Sequence, residues 1–324
     1  MTLVDLLSFG FMQRALVAAL ISGLLCPAVG VYIVQRRLAL LGDGLGHVAI
    51  AGVGLALLVG WAPLPVAIVV CLVGAGGVEW LRQRGKVFAD TGLAILFYGG
   101  ISVGLLLAGL AGQGAGTLSQ YLFGSLITVT RGDIVLIAAL ALVVLVVCLG
   151  LAPQLFSVCV DEDFARTQGL PVALLNMVMV AMAAITITLS MRTVGLLLVS
   201  ALMVVPVAAA QNLASSFRAT LVVSMGVGVV TGGGGVLISA VADTPSGPTI
   251  VVLAIVLFAL AAVVSALLRR SAPLADATVP RPHLVAEAHA DDDDHTEAVL
   301  HGDHVDFLHD GHRHAPHGDH YDEH

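Results

Sequence analysis

The strongest constraint on this chain is a series of apolar runs, each about as long as a lipid bilayer is thick. A helix of about 20 apolar residues crosses the hydrocarbon core and satisfies its own backbone hydrogen bonds there, which an open sheet or a loop cannot do. The pattern predicts spans at 11–34, 44–60, 64–81, 91–110, 134–151, 172–190, 194–212, 219–240 and 248–268. The second and third are parted only by Trp61-Ala62-Pro63-Leu64-Pro65, so a count of eight is the alternative to nine. Gly116 to Thr130 is too short to span and reads as a surface helix or a re-entrant turn. With 58% hydrophobic and 11% charged residues, the expected class is an all-α membrane protein of about nine transmembrane helices.

Basic residues set the expected orientation. With the N-terminus outside, Arg36, Arg37, Arg82, Arg84, Lys86, Arg166, Arg218, Arg269 and Arg270 fall inside, and only Arg14, Arg131 and Arg192 fall outside. The first apolar run is too long for a signal-peptide core, so a multi-pass protein of the cell membrane without a cleaved leader is expected. The four cysteines form no C-x-x-C pattern, and Cys26, Cys71 and Cys148 lie within spans as small buried residues.

Charge divides the chain in two. Residues 1–270 carry a net +3, and residues 271–324 a net −11. The first is read as a transmembrane domain. The second is read as a cytoplasmic tail without regular structure, because its low hydrophobicity and high charge give it little to bury. Eleven of the twelve histidines lie from His283 onward, alternating with acids. Among them His301, His304, His309, His312, His314, His317 and His320 are candidate metal ligands, since imidazole suits zinc, copper and nickel. The alternative is an acidic, solubilising tail. Ser271 to Pro282, with three prolines, is the expected linker.

Inside the apolar body one motif stands out, Gly42-Asp43-Gly44-Leu45-Gly46-His47. An ionisable group in a span costs about 2.5–3.5 kcal/mol on insertion scales and tends to face a protein interior or a pathway. The i, i+4 spacing puts Asp43 and His47 on one helix face, where a carboxylate and an imidazole are two potential ligands of a divalent metal. The alternative is a cap, with Asp43 accepting from free N–H groups at the helix start and His47 merely packed.

Other chemistry is missing from the sequence. Gly85-Lys86 has Trp80 where a phosphate loop needs glycine, and there is neither G-x-G-x-x-G nor HExxH. The chain is therefore not expected to be an enzyme, to hold a resident cofactor or to bind nucleic acid. Uphill movement of a solute would draw on a gradient or a partner. Pro27 and Pro206 interrupt spans and are expected to kink them. Gly232 to Gly235 reads as close helix packing. The charged loop Asp161 to Pro171 reads as a short amphipathic helix, ended by Gly169 and Pro171. It is either a docking element or an ordinary solvated loop.

Several of these segments, in order, resemble the integral-membrane permease of zinc and manganese ATP-binding-cassette importers. They are Phe11 to Leu16, Arg36 to Ala49 with its Gly-Asp followed four residues on by His47, Asp90 to Phe97, Tyr121 to Ser125, and Thr193 to Ala210. The family usually has serine before that histidine, where this chain has Gly46. The resemblance covers residues 9–268 and implies a cobalamin-importer-like (type II) permease fold. It further implies a dimer of permease chains, two cytoplasmic ATPase subunits, an external metal-binding protein, and Zn²⁺ or Mn²⁺ as cargo. Phe164, Ala165 and Gly169 then look like part of the helix that docks the ATPase. Asp43 and His47 become half of a transient metal site at the dimer axis, with Gly42, Gly44 and Gly46 letting the two helices meet. Two further classes remain. A gradient-driven metal exporter would need ionisable groups on several spans, and a membrane metal sensor would depend on the tail.

Overall fold

In a computed structural model the described residues are 8–85, 89–112, 115–124, 130–192 and 194–271, together with 297–301, 304–309, 312–317 and 320–323 of the tail. Lys86, Ser125, Thr193 and the proline-bearing linker beyond Ser271 lie outside them. The chain divides into residues 1–267 and residues 268–324.

The apolar runs become helices because nothing else satisfies their backbone in lipid. They are α1 (Gly10–Gln35), α2 (Leu41–Val59), α3 (Pro63–Gln83), α4 (Ala89–Ala94), α5 (Gly100–Leu110), α6 (Ala115–Phe123), α7 (Arg131–Gly150), α8 (Ala152–Val160), α9 (Glu162–Thr167), α10 (Val172–Ser190), α11 (Leu196–Leu213), α12 (Phe217–Ala242) and α13 (Ser246–Ser271). Among the described residues eight helical segments are long and apolar enough to cross a membrane, and Leu198–Leu213 is a shorter apolar helix. The nine expected spans are all present as helices. Trp61 and Ala62 do part the second and third, where Gly60 ends α2 in the left-handed region (φ 76°). Gly116 to Thr130 supplies the nine-residue α6.

Two of the boundaries that differ from expectation do so for local reasons. α7 begins at Arg131 rather than 134, because Thr130 and Asp133 form a capping box. The Asp133 amide donates to Thr130 Oγ1 at 3.2 Å, and the Thr130 amide to Asp133 Oδ2 at 2.9 Å. α11 begins after Gly195, whose φ of 92° is open to glycine, and a Cβ there would lie 2.3 Å from the Phe123 backbone.

Glycines let the helices of the first unit touch backbone to backbone. A Cβ on Gly23 of α1 would fall 2.3 Å from the Gly228 carbonyl oxygen of α12, and one on Gly228 would fall 2.0 Å from that of Gly23. Gly232 meets Ala19, and Gly235 meets Ile250 of α13. The glycine run therefore packs, as expected, and α12 is unbroken through it. Gly228→Ala is expected to destabilise the fold by about 1–3 kcal/mol through overpacking. Thermal unfolding in detergent at a lower temperature than wild type checks it, with Gly226→Ala, a position with open space, as the control. Cys26, Cys71 and Cys148 are buried and unbridged.

Residues 297–323 contain β1 (Glu297–His301), β2 (His304–His309), β3 (His312–His317) and β4 (His320–Glu323), paired antiparallel in the order β1-β2-β3-β4.

Candidate functional site

Asp43 and His47 sit in the first two turns of α2, one face apart by a single turn. The helix starts without a side-chain cap, so Asp43 does not act as one. Its carboxylate instead accepts a hydrogen bond from the Ser200 hydroxyl of α11, 157 residues along the chain. His47 is buried, at 5% exposure. Its Nδ1 has no hydrogen-bond partner among the described residues. A buried polar nitrogen without a partner is unfavourable by about 1–3 kcal/mol, which marks it for explanation.

The fourth span forms the opposite wall. Between α4 and α5 the backbone widens into a π turn, Ile95–Gly99, a local feature frequent at functional sites. It brings the Phe97 ring edge-on to His47, with centroids 4.1 Å apart. Gly100 lies so close to the backbone of His47 that a Cβ would come within 2.5 Å. Leu40, Asp43, Leu93, Ala94, Phe97 and Tyr98 line an open pocket of about 320 Å³. Leu40 and Tyr98 are each 69% exposed at its rim. One chain thus offers a carboxylate beside a pocket, a buried imidazole behind an aromatic ring, and a hydroxyl that orients the carboxylate.

The glycines of the motif do not serve as expected. The space above Gly42 is filled by Ser200 at 3.3 Å, that above Gly46 by Leu196 at 2.5 Å, and Gly44 faces Leu93 and Leu96. All three accommodate neighbours within this chain, so they position α2 against α11 and the fourth span rather than leaving room for a second copy of α2.

A second feature occupies one end of the helical unit. α9 is capped by Asp161, whose carboxylate accepts from the amides of Asp163 and Phe164 at 2.9 and 3.0 Å. Gly169 then reverses the chain at φ 78°. Phe164 projects outward at 56% exposure, whereas Ala165 is fully buried. Ala165, a methyl group with no exposed surface, anchors the helix, and Phe164 is the side chain left facing outward. Arg36, at the end of α1, pairs with Glu162 of α9 and donates to Asn176 Oδ1 of α10 at 2.5 Å. The Asn176 amide in turn donates to Glu162 at 3.2 Å. Burial pulls the Arg36 guanidinium below its ordinary range. At the same end, Arg82 holds buried Glu79 at 2.8 Å through two nitrogens.

Sequence reasoning missed Ser200, Phe97, and the partnership of Arg36 with Glu162 and Asn176. Ser200 carries no local signal inside an apolar run. Arg36 was visible only as one positive charge among several. Among the described residues no three His, Cys, Asp or Glu side chains converge to hold a metal.

Ser200→Ala is expected to free the Asp43 carboxylate and weaken metal binding at the motif by about tenfold, the lower range for outer-shell partners, while Ser200→Thr restores it. Titration of the purified chain with Zn²⁺ checks both.

Comparison with known proteins follows the membrane unit. The ABC 3 transport family profile matches residues 8–265. The chain is 31% identical over 259 residues to "Manganese transport system membrane protein MntC" of Halalkalibacterium halodurans, covering 79% of this chain and 88% of that one. It is 29% identical over 252 residues to "High-affinity zinc uptake system membrane protein ZnuB" of Haemophilus influenzae, covering 78% and 97%. Among solved structures, "PsaBC from Streptococcus pneumoniae in complex with Fab" superposes with a TM-score of 0.71 at 27% identity, covering 80% of this chain and 94% of that one.

Proposed function

The chain belongs to the ABC 3 transport family, and from that premise we propose that it is the membrane permease of an ATP-binding-cassette importer that carries a divalent metal ion, zinc in the first instance, into the cell. The observation that carries this reading is the pairing of Asp43, held by Ser200 beside an open pocket, with a buried His47 nitrogen that lacks a partner. Relatives named for zinc and for manganese support a metal as cargo. Zinc is preferred because the tail adds imidazoles, which manganese favours less.

The chain contributes a passage, and ATP hydrolysis belongs to a separate subunit. Phe164 and the exposed side of α9 dock that subunit on the cytoplasmic face, next to a groove lined by Trp80, Arg84, Arg166 and Leu174. An external metal-binding protein delivers the ion from the other side. A second permease chain completes the metal site. Zinc takes four ligands, or three and a water, and one chain supplies only one carboxylate and one imidazole. The exposed rim of Leu40 and Tyr98 is the part of the pocket left for that second chain to cover.

For the ion to reach His47, the Phe97 ring must swing aside; the π turn that carries it is the element that can absorb that movement. Neutral imidazole and carboxylate then replace water around the ion. Release inward follows when the two permease chains move apart and the ligand set halves.

The test is uptake of labelled Zn²⁺ and Mn²⁺ by cells lacking their own importers, expressing this chain with the ATPase and binding protein encoded beside it. ATP-dependent accumulation of zinc is expected. Equal accumulation without the ATPase would replace this reading with a gradient-driven carrier. Loss of all uptake on removing residues 271–324, at matched protein levels, would favour a tail-dependent sensor.

A further inference from the structure

Three hollows in the helical unit form a series in which neighbours share a side chain. The first is the Asp43 pocket, whose wall includes Leu93 of α4. A second, smaller cavity of about 40 Å³ also has Leu93 in its wall, together with Leu41, Leu96, Glu79 and Arg82. The third is the open groove of about 720 Å³ beside α9. It shares Arg82 with the second and adds Gln83, Glu162 and Arg166.

The shared side chains differ in kind. Leu93 is apolar and packs against Gly44, the residue after Asp43, with its Cδ2 3.8 Å from where a Cβ on Gly44 would lie. Arg82 is charged and holds Glu79, the only acid that the fold buries among the described residues, at 6% exposure. Both Glu79 oxygens are engaged. Arg82 Nε donates to Oε2 and Nη2 to Oε1, each at 2.8 Å, and Gln83 Nε2 donates to Oε1 at 3.0 Å. Gln83 also donates to the Ala173 carbonyl of α10 at 3.0 Å. Ionisable side chains kept within a membrane unit, paired with one another, commonly mark the path of an ion.

From this series we propose that the ion leaves the Asp43 pocket through the body of each permease chain, past Leu93 as an apolar gate, to Glu79 as the carboxylate that receives it, and on into the groove beside α9. The inference rests on the reading of the chain as a metal permease. An apolar constriction excludes a hydrated ion while it is closed. The cavity behind it is large enough to hold water, so an ion that passes Leu93 keeps part of its hydration and gains a carboxylate. A divalent cation competes with the guanidinium of Arg82 for Glu79. Arg82 has somewhere to go: its side chain is 30% exposed and already forms part of the groove wall. Glu162 and Arg166 of α9 lie in the same wall, so the exit adjoins the element that docks the ATPase.

Zinc flux into proteoliposomes holding the complete complex, with its ATPase and binding protein, tests it. Leu93→Ala is expected to let labelled Zn²⁺ run down its gradient without ATP about tenfold faster than wild type, because the apolar gate has lost its bulk. Glu79→Gln keeps the size of the side chain and is expected to lower ATP-driven uptake about tenfold, because the receiving charge is gone. The decisive variant combines the two. L93A/E79Q is expected to leak about tenfold less than Leu93→Ala, whereas mere loosening of the Glu79–Arg82 pair would raise the leak further. A Leu93→Ala complex as tight as wild type, or L93A/E79Q leaking at least as fast as Leu93→Ala, overturns the proposal. A wild-type complex that accumulates no zinc with ATP, beside a Leu93→Ala complex that leaks, would overturn the importer reading alone.

Discussion

Asp43→Ala and His47→Ala are each expected to reduce uptake of the proposed zinc cargo by about 100-fold in cells at matched protein levels. Outer-shell partners of a metal already matter about 10–100-fold, and a ligand matters at least as much. The effect is doubled by symmetry if two chains share the site, because one substitution then removes two of four ligands. His47→Ala removes a buried nitrogen that has no partner in the protein, so the fold should not suffer from a broken hydrogen bond. Asp43→Ala leaves the Ser200 hydroxyl free to turn to a backbone carbonyl. Both variants should therefore assemble and unfold near the wild-type temperature while failing to transport. Normal zinc and manganese uptake by either variant would remove the site from the pathway.

The second large effect is expected at Arg36. Its guanidinium joins three elements: α1 that bears it, α9 through Glu162 and α10 through Asn176. Its side chain is only 12% exposed and that of Glu162 27%. Breaking a buried pair by removing one partner costs about 3–5 kcal/mol, and the partial exposure of Glu162 puts this one near the lower figure. Seven residues after Arg36 comes Asp43, across a connection in which Arg37 takes a left-handed conformation (φ 57°), a strained state for a side-chain-bearing residue. Arg36→Gln is expected to loosen α9 and to lower uptake by about tenfold, with zinc binding at Asp43 and His47 retained. Uptake and ATP hydrolysis measured on the same reconstituted complex check it. Hydrolysis that persists while uptake falls is the expected pattern, and Glu162→Gln in the same chain, which removes the charge left unpaired, is expected to restore part of the uptake; losses from the two substitutions that simply add would contradict the pairing.

Much of the architecture was legible because lipid imposes a length and a backbone rule that any sequence must obey. The nine runs from Phe11 to Leu268 were found within a few residues of their observed ends. The misplaced start of α7 traces to Thr130 and Asp133, a capping signal three residues apart that an apolar window overlooks.

What sequence alone determined is the set of chemical possibilities. Asp43 and His47 share a helix face by spacing, and the spans follow from hydrophobic length. Tertiary structure decided what those residues touch. Ser200 reaches Asp43 across 157 positions, and Arg36 reaches Glu162 across 126. It also turned Ala165 inward, and filled the space above Gly42 and Gly46 with α11. Spacing fixes which side chains share a face of one helix. Which face of another helix they meet depends on packing between distant segments, and no local pattern encodes that.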